Sequence, residues 1–269
     1  MRIALCNEVI AAMPFERQCA FARSVGYDAI EIAPFTLTDD PARLPTAQAA
    51  TWRRAATDAG IAITSLHYLL RAPSGLSITT SDAGQRHRTV DVMRALCGLA
   101  ADLGARVLVH GSPDQRALAA GEEDDGRKRG IDCFAAVAEA AAQARVVYCI
   151  EPLSRHQTQF VNTVEEAAAI VRAIDNPAVR TMIDCSAAGR RKRSPSPTSC
   201  AAGCPPASSA TSISTTRTGA VRAKERWHSH PFSRRSPPPN ILATPPSSRS
   251  STSPTVPHAP RGRSAICAA

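Results

Sequence analysis

"VVYCIEPLSRHQTQFVNTVEEAAAIVRAIDNPAVRTMIDCS", residues 146–186, holds two apolar runs with a helical pattern between them. The first run, Val146–Ile150, is continuously apolar, as parallel strands covered on both faces are. It ends in Glu151 and Pro152, and the second run ends in Asp184. Between them Val164, Ala167, Ala168, Val171 and Ile174 recur at three- and four-residue spacing. That spacing gathers them on one helix face, with Thr163 or Asn162 as the N-cap and Asp175-Asn176-Pro177 as the stop. The stretch is one strand–helix–strand unit.

Working outward, the same unit recurs. Strands begin near residues 3, 28, 61, 106, 146 and 179, about 35 residues apart. Val90, Met93, Leu96, Cys97, Ala100 and Leu103 form another helical seam, and "DAGI" and "DLGA" put a glycine between helix end and next strand. Six units at this pace predict an α/β chain of the (β/α)₈ barrel type, a fold of typically ~250 residues. Here it is truncated to about six βα units. A doubly wound sheet is the rival, but no glycine-rich phosphate loop follows the first strand.

The repeat stops where the composition changes. Residues 1–189 hold 19 basic and 22 acidic residues, a net charge of −3. Residues 190–269 hold 13 basic residues, one acid (Glu225), 13 of the 21 prolines and 16 serines. Such a segment buries too little apolar surface to offset its chain entropy, so the expectation is a folded part over 1–189 and a disordered basic tail over 190–269. The nine cysteines are scattered. Most fall in apolar patterns, where a buried free thiol is the usual state. Cys200 and Cys204 have metal-like spacing without a second pair, which argues against a zinc site. The N-terminus is too polar for a signal sequence and no apolar run reaches membrane length, so a cytoplasmic protein with no membrane partner is expected.

Each expected strand ends in a polar residue: Glu8, Glu31, His67, His110, Glu151 and Asp184. In parallel barrels the C-terminal strand ends form the active-site mouth, so these six side chains are expected on one rim. A strand-end carboxylate can instead cap the next helix, and either histidine can be an ordinary satisfied polar residue. Glu151 with Asp184 makes half of a hard-metal site.

"CIEPLSRHQTQFVNTVEEA" followed by "TMIDCS" resembles the sugar phosphate isomerase/epimerase family, whose xylose isomerase-like barrels include ketose 3-epimerases and hydroxypyruvate isomerases. "LCNEV", "EIAPFTL" and "SLHYLL" fit the same family, over roughly residues 1–187. The resemblance implies that Glu151 and Asp184 bind a divalent ion, Mn²⁺, Mg²⁺ or Co²⁺, with a His and a Glu from two further strands. It implies that Glu151 is also catalytic, one of two carboxylates that move a sugar α-proton through an enediolate. His67, His110 and Gln157 are expected to contact substrate, a small sugar or hydroxy-keto acid, and the intact family allows a homo-oligomer. Two positions depart from the pattern: Gln157 stands where several ketose epimerases carry a substrate-binding Glu, and Ala187 where they often carry a His.

The two further strands are missing from the written sequence. Loss of one base near codon 190 would account for that. The shifted frame permits a His where Thr211 or Ile213 stands and a Glu where Ser248 stands, each within a strand-like stretch of the family's kind. On this reading the basic tail is a frameshift product and the chain is a defective isomerase. Two alternatives remain open. One is a metal-dependent phosphodiesterase like the AP endonucleases of the same barrel family, with His67 and His110 in its cluster. Its duplex substrate would call for a basic rim, and the folded part is acidic. The other is a non-enzymatic protein binding polyanions through Arg190–Arg193 and the rest of the tail, although no specific nucleic-acid partner is expected.

Overall fold

A computed structural model describes residues 3–184. The 190–269 segment with its expected disorder, the two strands expected from a shifted frame, and Cys200 and Cys204 lie outside the described residues. Within them the chain alternates strands and helices: β1 (Ala4–Cys6), α1 (Phe15–Ser24), β2 (Ala29–Ile32), α2 (Thr46–Asp58) and β3 (Ala62–His67) come first. Then follow α3 (Ala83–Leu103), β4 (Val107–His110), α4 (Glu123–Gln143), β5 (Val147–Ile150), α5 (Val164–Ile174) and β6 (Val179–Thr181). The six strands form one parallel sheet in sequence order. Every strand begins within one residue of its expected position. The αβ repeat is therefore that of the (β/α)₈ class. Its edges are β1 and β6, and no seventh strand pairs with either among the described residues.

Local chemistry explains the boundaries. Asp82 caps α3 by accepting a hydrogen bond from the Gln85 amide at 3.0 Å. Gly104 ends that helix at φ 81°, a left-handed conformation that glycine adopts without steric cost. Between the two N-cap candidates for α5 the structure selects Thr163. Its hydroxyl accepts from the Glu166 amide while the Glu166 carboxylate accepts from the Thr163 amide, a full capping box. Asn162 instead ties down the preceding loop, donating to the carbonyls of Leu153 and Thr158 at 2.9 Å each. The seam of α5 also differs slightly from expectation: Ile170, not Ala168, is buried beside Ala167.

The sheet has two unlike faces. Outward, toward the helices, Ile30, Ile32, Leu66, Leu108, Tyr148, Ile150 and Val179 pack on Met93, Leu96, Phe134 and Val137 in one large core. Inward, Val107, Val109, Cys149 and Met182 make a smaller cluster. Side chains alternate along a strand, so register alone decides which of them face the barrel interior. No helix among the described residues is long and apolar enough to cross a membrane.

Candidate functional site

The inward face carries the polar groups in two walls. The first spans β1–β3. Cys6 pairs with Glu31, and Glu31 with Ser65, across neighbouring strands. Ser65 Oγ donates to Glu31 Oε1 at 2.8 Å, deep in the protein. His67, two residues on and so on the same face, puts Nε2 3.2 Å from Cys6 Sγ and 3.2 Å from Glu8 Oε2. Its Nδ1 lies 3.7 Å from Glu31 Oε2. Burial alone would lower the His67 pKa, but the bonds to Cys6 and Glu8 and the charge of Glu31 outweigh it and lift it to about 10. Burial pushes Glu31 up; the nearby His67 and the Ser65 bond oppose it. Neither glutamate caps a helix with these contacts. Glu8 and Glu31 grip the two sides of one imidazole.

The second wall is built on β4–β6. His110 pairs with Ile150, which sets Gly111 beside Glu151 just past the strand ends. A Cβ on Gly111 would lie 1.8 Å from Glu151 Oε2, so the carboxylate rests where any other side chain would begin. The Glu151 amide donates to the His110 carbonyl at 3.3 Å. Its carbonyl accepts from Arg116 Nη2 at 2.8 Å. The Arg116 side chain is fully buried. Burial brings its pKa down to about 10, against the pull of Glu151 and Tyr148, so it stays cationic at neutral pH. Asp184 follows β6, half-buried, two residues beyond Met182 of the inward cluster.

Two expected substrate contacts fall elsewhere. His110 is not on the rim: its ring sits between β4 and α4, edge-on to Phe134 at 4.9 Å, with Nδ1 2.7 Å from the Tyr148 hydroxyl. It is completely buried, and burial, helped by Arg116, holds its pKa well below the usual value. The physical reason is register: His67 pairs with Val109, so His110 is one residue further and points to the opposite face. Gln157 is exposed on the loop after β5, where its Oε1 accepts from the amide and hydroxyl of Ser154 at 3.3 and 3.0 Å. Three groups at the walls carried no signal strong enough to single them out: Cys6, Ser65 and Arg116. The first two are polar residues at inward positions of apolar strands, which is the one pattern that could have found them.

With this geometry, comparison places the chain. The family model for the xylose isomerase-like TIM barrel matches residues 19–203, and the chain belongs to that family. A search of curated proteins finds no match. Among solved structures, D-psicose 3-epimerase in the presence of D-fructose is similar with a TM-score of 0.61 at 20% identity, over 72% of this chain and 67% of that one. The 3-keto-D-glucoside 4-epimerase of E. coli gives 0.62 at 16% identity, over 76% and 75%. L-ribulose 3-epimerase gives 0.59 at 23% identity, over 71% and 63%. The chain thus spans between 63% and 75% of these proteins' lengths, and at such identities the likeness is one of fold.

Proposed function

We propose that the chain derives from a metal-dependent sugar isomerase or epimerase that moves a proton next to a carbonyl of a small ketose or hydroxy-keto acid. The observation that carries this reading is the Glu151 carboxylate laid over Gly111 at the strand ends, with Asp184 following the neighbouring strand. Solved relatives of the same fold include a psicose, a ribulose and a keto-glucoside epimerase.

The donors present suit a hard divalent cation such as Mn²⁺, Mg²⁺ or Co²⁺, since Glu151 and Asp184 offer only oxygen and such ions sit on one or two carboxylates with water filling the rest. Bound there, the ion would polarise the sugar carbonyl as a Lewis acid. Glu151 takes the α-proton from one face of the sugar. Its position is set from behind by Arg116, which grips its carbonyl, and from the side by the bare Gly111. Removing the proton leaves an enediolate, and a second carboxylic acid on the opposite face, the Glu that the shifted frame permits at position 248, would deliver a proton there and invert one carbon. In this reading His67, held by Glu8 and Glu31 on the inward face of β1–β3, would meet the substrate.

The missing His and Glu ligands belong to the shifted reading of residues 211–213 and 248. In this account they leave the written chain with weak metal binding and little activity. The phosphodiesterase reading needs His67 and His110 at one cluster, and the burial of His110 against Phe134 counts against it. The test is an assay on a panel of ketoses with Mn²⁺, using the chain as written and a frame-restored chain. Epimerisation only in the restored chain supports the reading; equal activity in both removes the frameshift from it.

A further inference from the structure

We propose that Cys6, Glu31 and His67 form a second metal site, for a borderline-soft divalent cation of the Zn²⁺ class, separate from the oxygen donors Glu151 and Asp184. The three residues come from adjacent strands, and their donor atoms lie within 4.8 Å of one another. Glu31 Oε2 and His67 Nδ1 are 3.7 Å apart. Two such donors on one tetrahedral Zn²⁺, each about 2.0–2.2 Å from the ion, stand roughly 3.4 Å apart. Little movement is needed to seat an ion between them.

The imidazole is already arranged for this. Nδ1 is buried and has no hydrogen-bond partner among the described residues, while Nε2 lies 3.2 Å from both Glu8 Oε2 and Cys6 Sγ, so the Cys6 side chain must turn from Nε2 to reach an ion held at Nδ1. A histidine that ligates through one nitrogen usually donates its other N–H to a carboxylate, which fixes the tautomer. Glu8 fills that role. Ser65 holds the far oxygen of Glu31, so the second oxygen is aimed at the ion position. Glu31 is 1% exposed, and a carboxylate buried that deeply needs a proton or a cation beside it.

The donor set selects the ion. Thiolate, imidazole and carboxylate together suit Zn²⁺, whereas Mg²⁺ and Ca²⁺ take oxygen ligands almost alone. Cys19, Cys97, Cys133 and Cys149 are pushed up to about 11 or 12, by burial first, and stay thiols. Cys6 is only half-buried and faces the cluster. Binding converts the Cys6 thiol to a metal thiolate and releases its proton to solvent, as it does any proton on His67 Nδ1. With three protein ligands the fourth position is open toward the barrel interior. His67 then meets substrate only through the ion. This site stands or falls independently of the function proposed for Glu151.

The test uses the full chain, stripped with a chelator and titrated with Co²⁺ alone. The expected result is a thiolate-to-cobalt charge-transfer band in the near ultraviolet that saturates with one cobalt per chain at this site, since cobalt on the oxygen donors Glu151 and Asp184 gives no such band. Cys6→Ser should abolish the band, and Glu31→Gln should weaken binding by at least about tenfold. Glu151→Gln and the double variant Cys200→Ser, Cys204→Ser should keep it. X-ray absorption on the zinc-loaded wild-type chain, which needs no variant to fold, should show a single sulfur ligand. A zinc shell with no sulfur or with two, or a cobalt band that survives Cys6→Ser, would overturn the proposal.

Discussion

Replacing Gly111 by alanine adds one methyl group at the most sensitive point of the candidate site. The new Cβ would lie 1.8 Å from Glu151 Oε2 and 3.0 Å from its Cδ. Ordinary contact begins near 3.4 Å, so the carboxylate must retreat by about 1.6 Å. A displacement of about 1 Å from productive geometry can cost 10²-fold in rate. The same shift moves a ligand oxygen off any ion held with Asp184, so Mn²⁺ affinity should fall as well. The backbone has no reason to object, because Gly111 is not at positive φ. Losing glycine's freedom in the unfolded chain should even stabilise the fold by about 0.4–1 kcal/mol. The assay pairs Mn²⁺ titration with proton exchange from a ketose in the frame-restored chain, and a urea melt as control. The prediction is lost function with retained stability, and partial recovery when Glu151→Asp shortens the clashing side chain. Unchanged exchange and unchanged Mn²⁺ affinity in Gly111→Ala would refute the geometry from which the site is argued.

Other outcomes follow from the same structure. Tyr148→Phe removes the hydrogen bond at 2.7 Å to a His110 whose Nε2 has no partner among the described residues, and should cost about 1–3 kcal/mol by chemical denaturation. His110 also sets a pH dependence. Its folded pKa lies well below the ordinary 6.5, so its contribution is complete above pH 6.5 and is lost as pH falls toward the folded value. The slope should approach about 1.4 kcal/mol per pH unit in the wild type and flatten in His110→Gln. Ile3 and Val9, close in sequence to the edge strand β1, and Phe21 and Val25, on α1 and at its end, are between 40% and 55% exposed. Self-association rising with concentration is expected, eased by Phe21→Glu, and sedimentation showing a monomer at all concentrations would contradict it.

The repeat, and hence the fold, was legible because six apolar runs and their intervening helical seams leave few other arrangements. The places of Glu151 and Asp184 after β5 and β6 were legible for a related reason: each is the first acid after an apolar run. What could not be read was register. His67 and His110 look alike as strand-end histidines, yet the pairing of His67 with Val109 turns the second one outward onto Phe134. The shift between Ile30 and Glu31 likewise aligns Glu31 with Ser65, and nothing local in either strand specifies it. Cys6 looked like one more buried thiol until its partners on β2 and β3 were known. Arg116 was hidden because a fully buried arginine in a single 3-10 turn after a strand has no sequence pattern of its own.

The central claim is that Glu151 moves a sugar α-proton, and solvent-deuterium incorporation tests it most directly. The frame-restored chain, with Mn²⁺ and a ketose in D₂O, should incorporate deuterium at the carbon next to the carbonyl, detected by mass and by loss of the proton signal. Glu151→Gln should suppress that incorporation by at least about 10²-fold, the lower end of what a positioned base contributes. Incorporation at the wild-type rate in a folded Glu151→Gln chain would contradict the account.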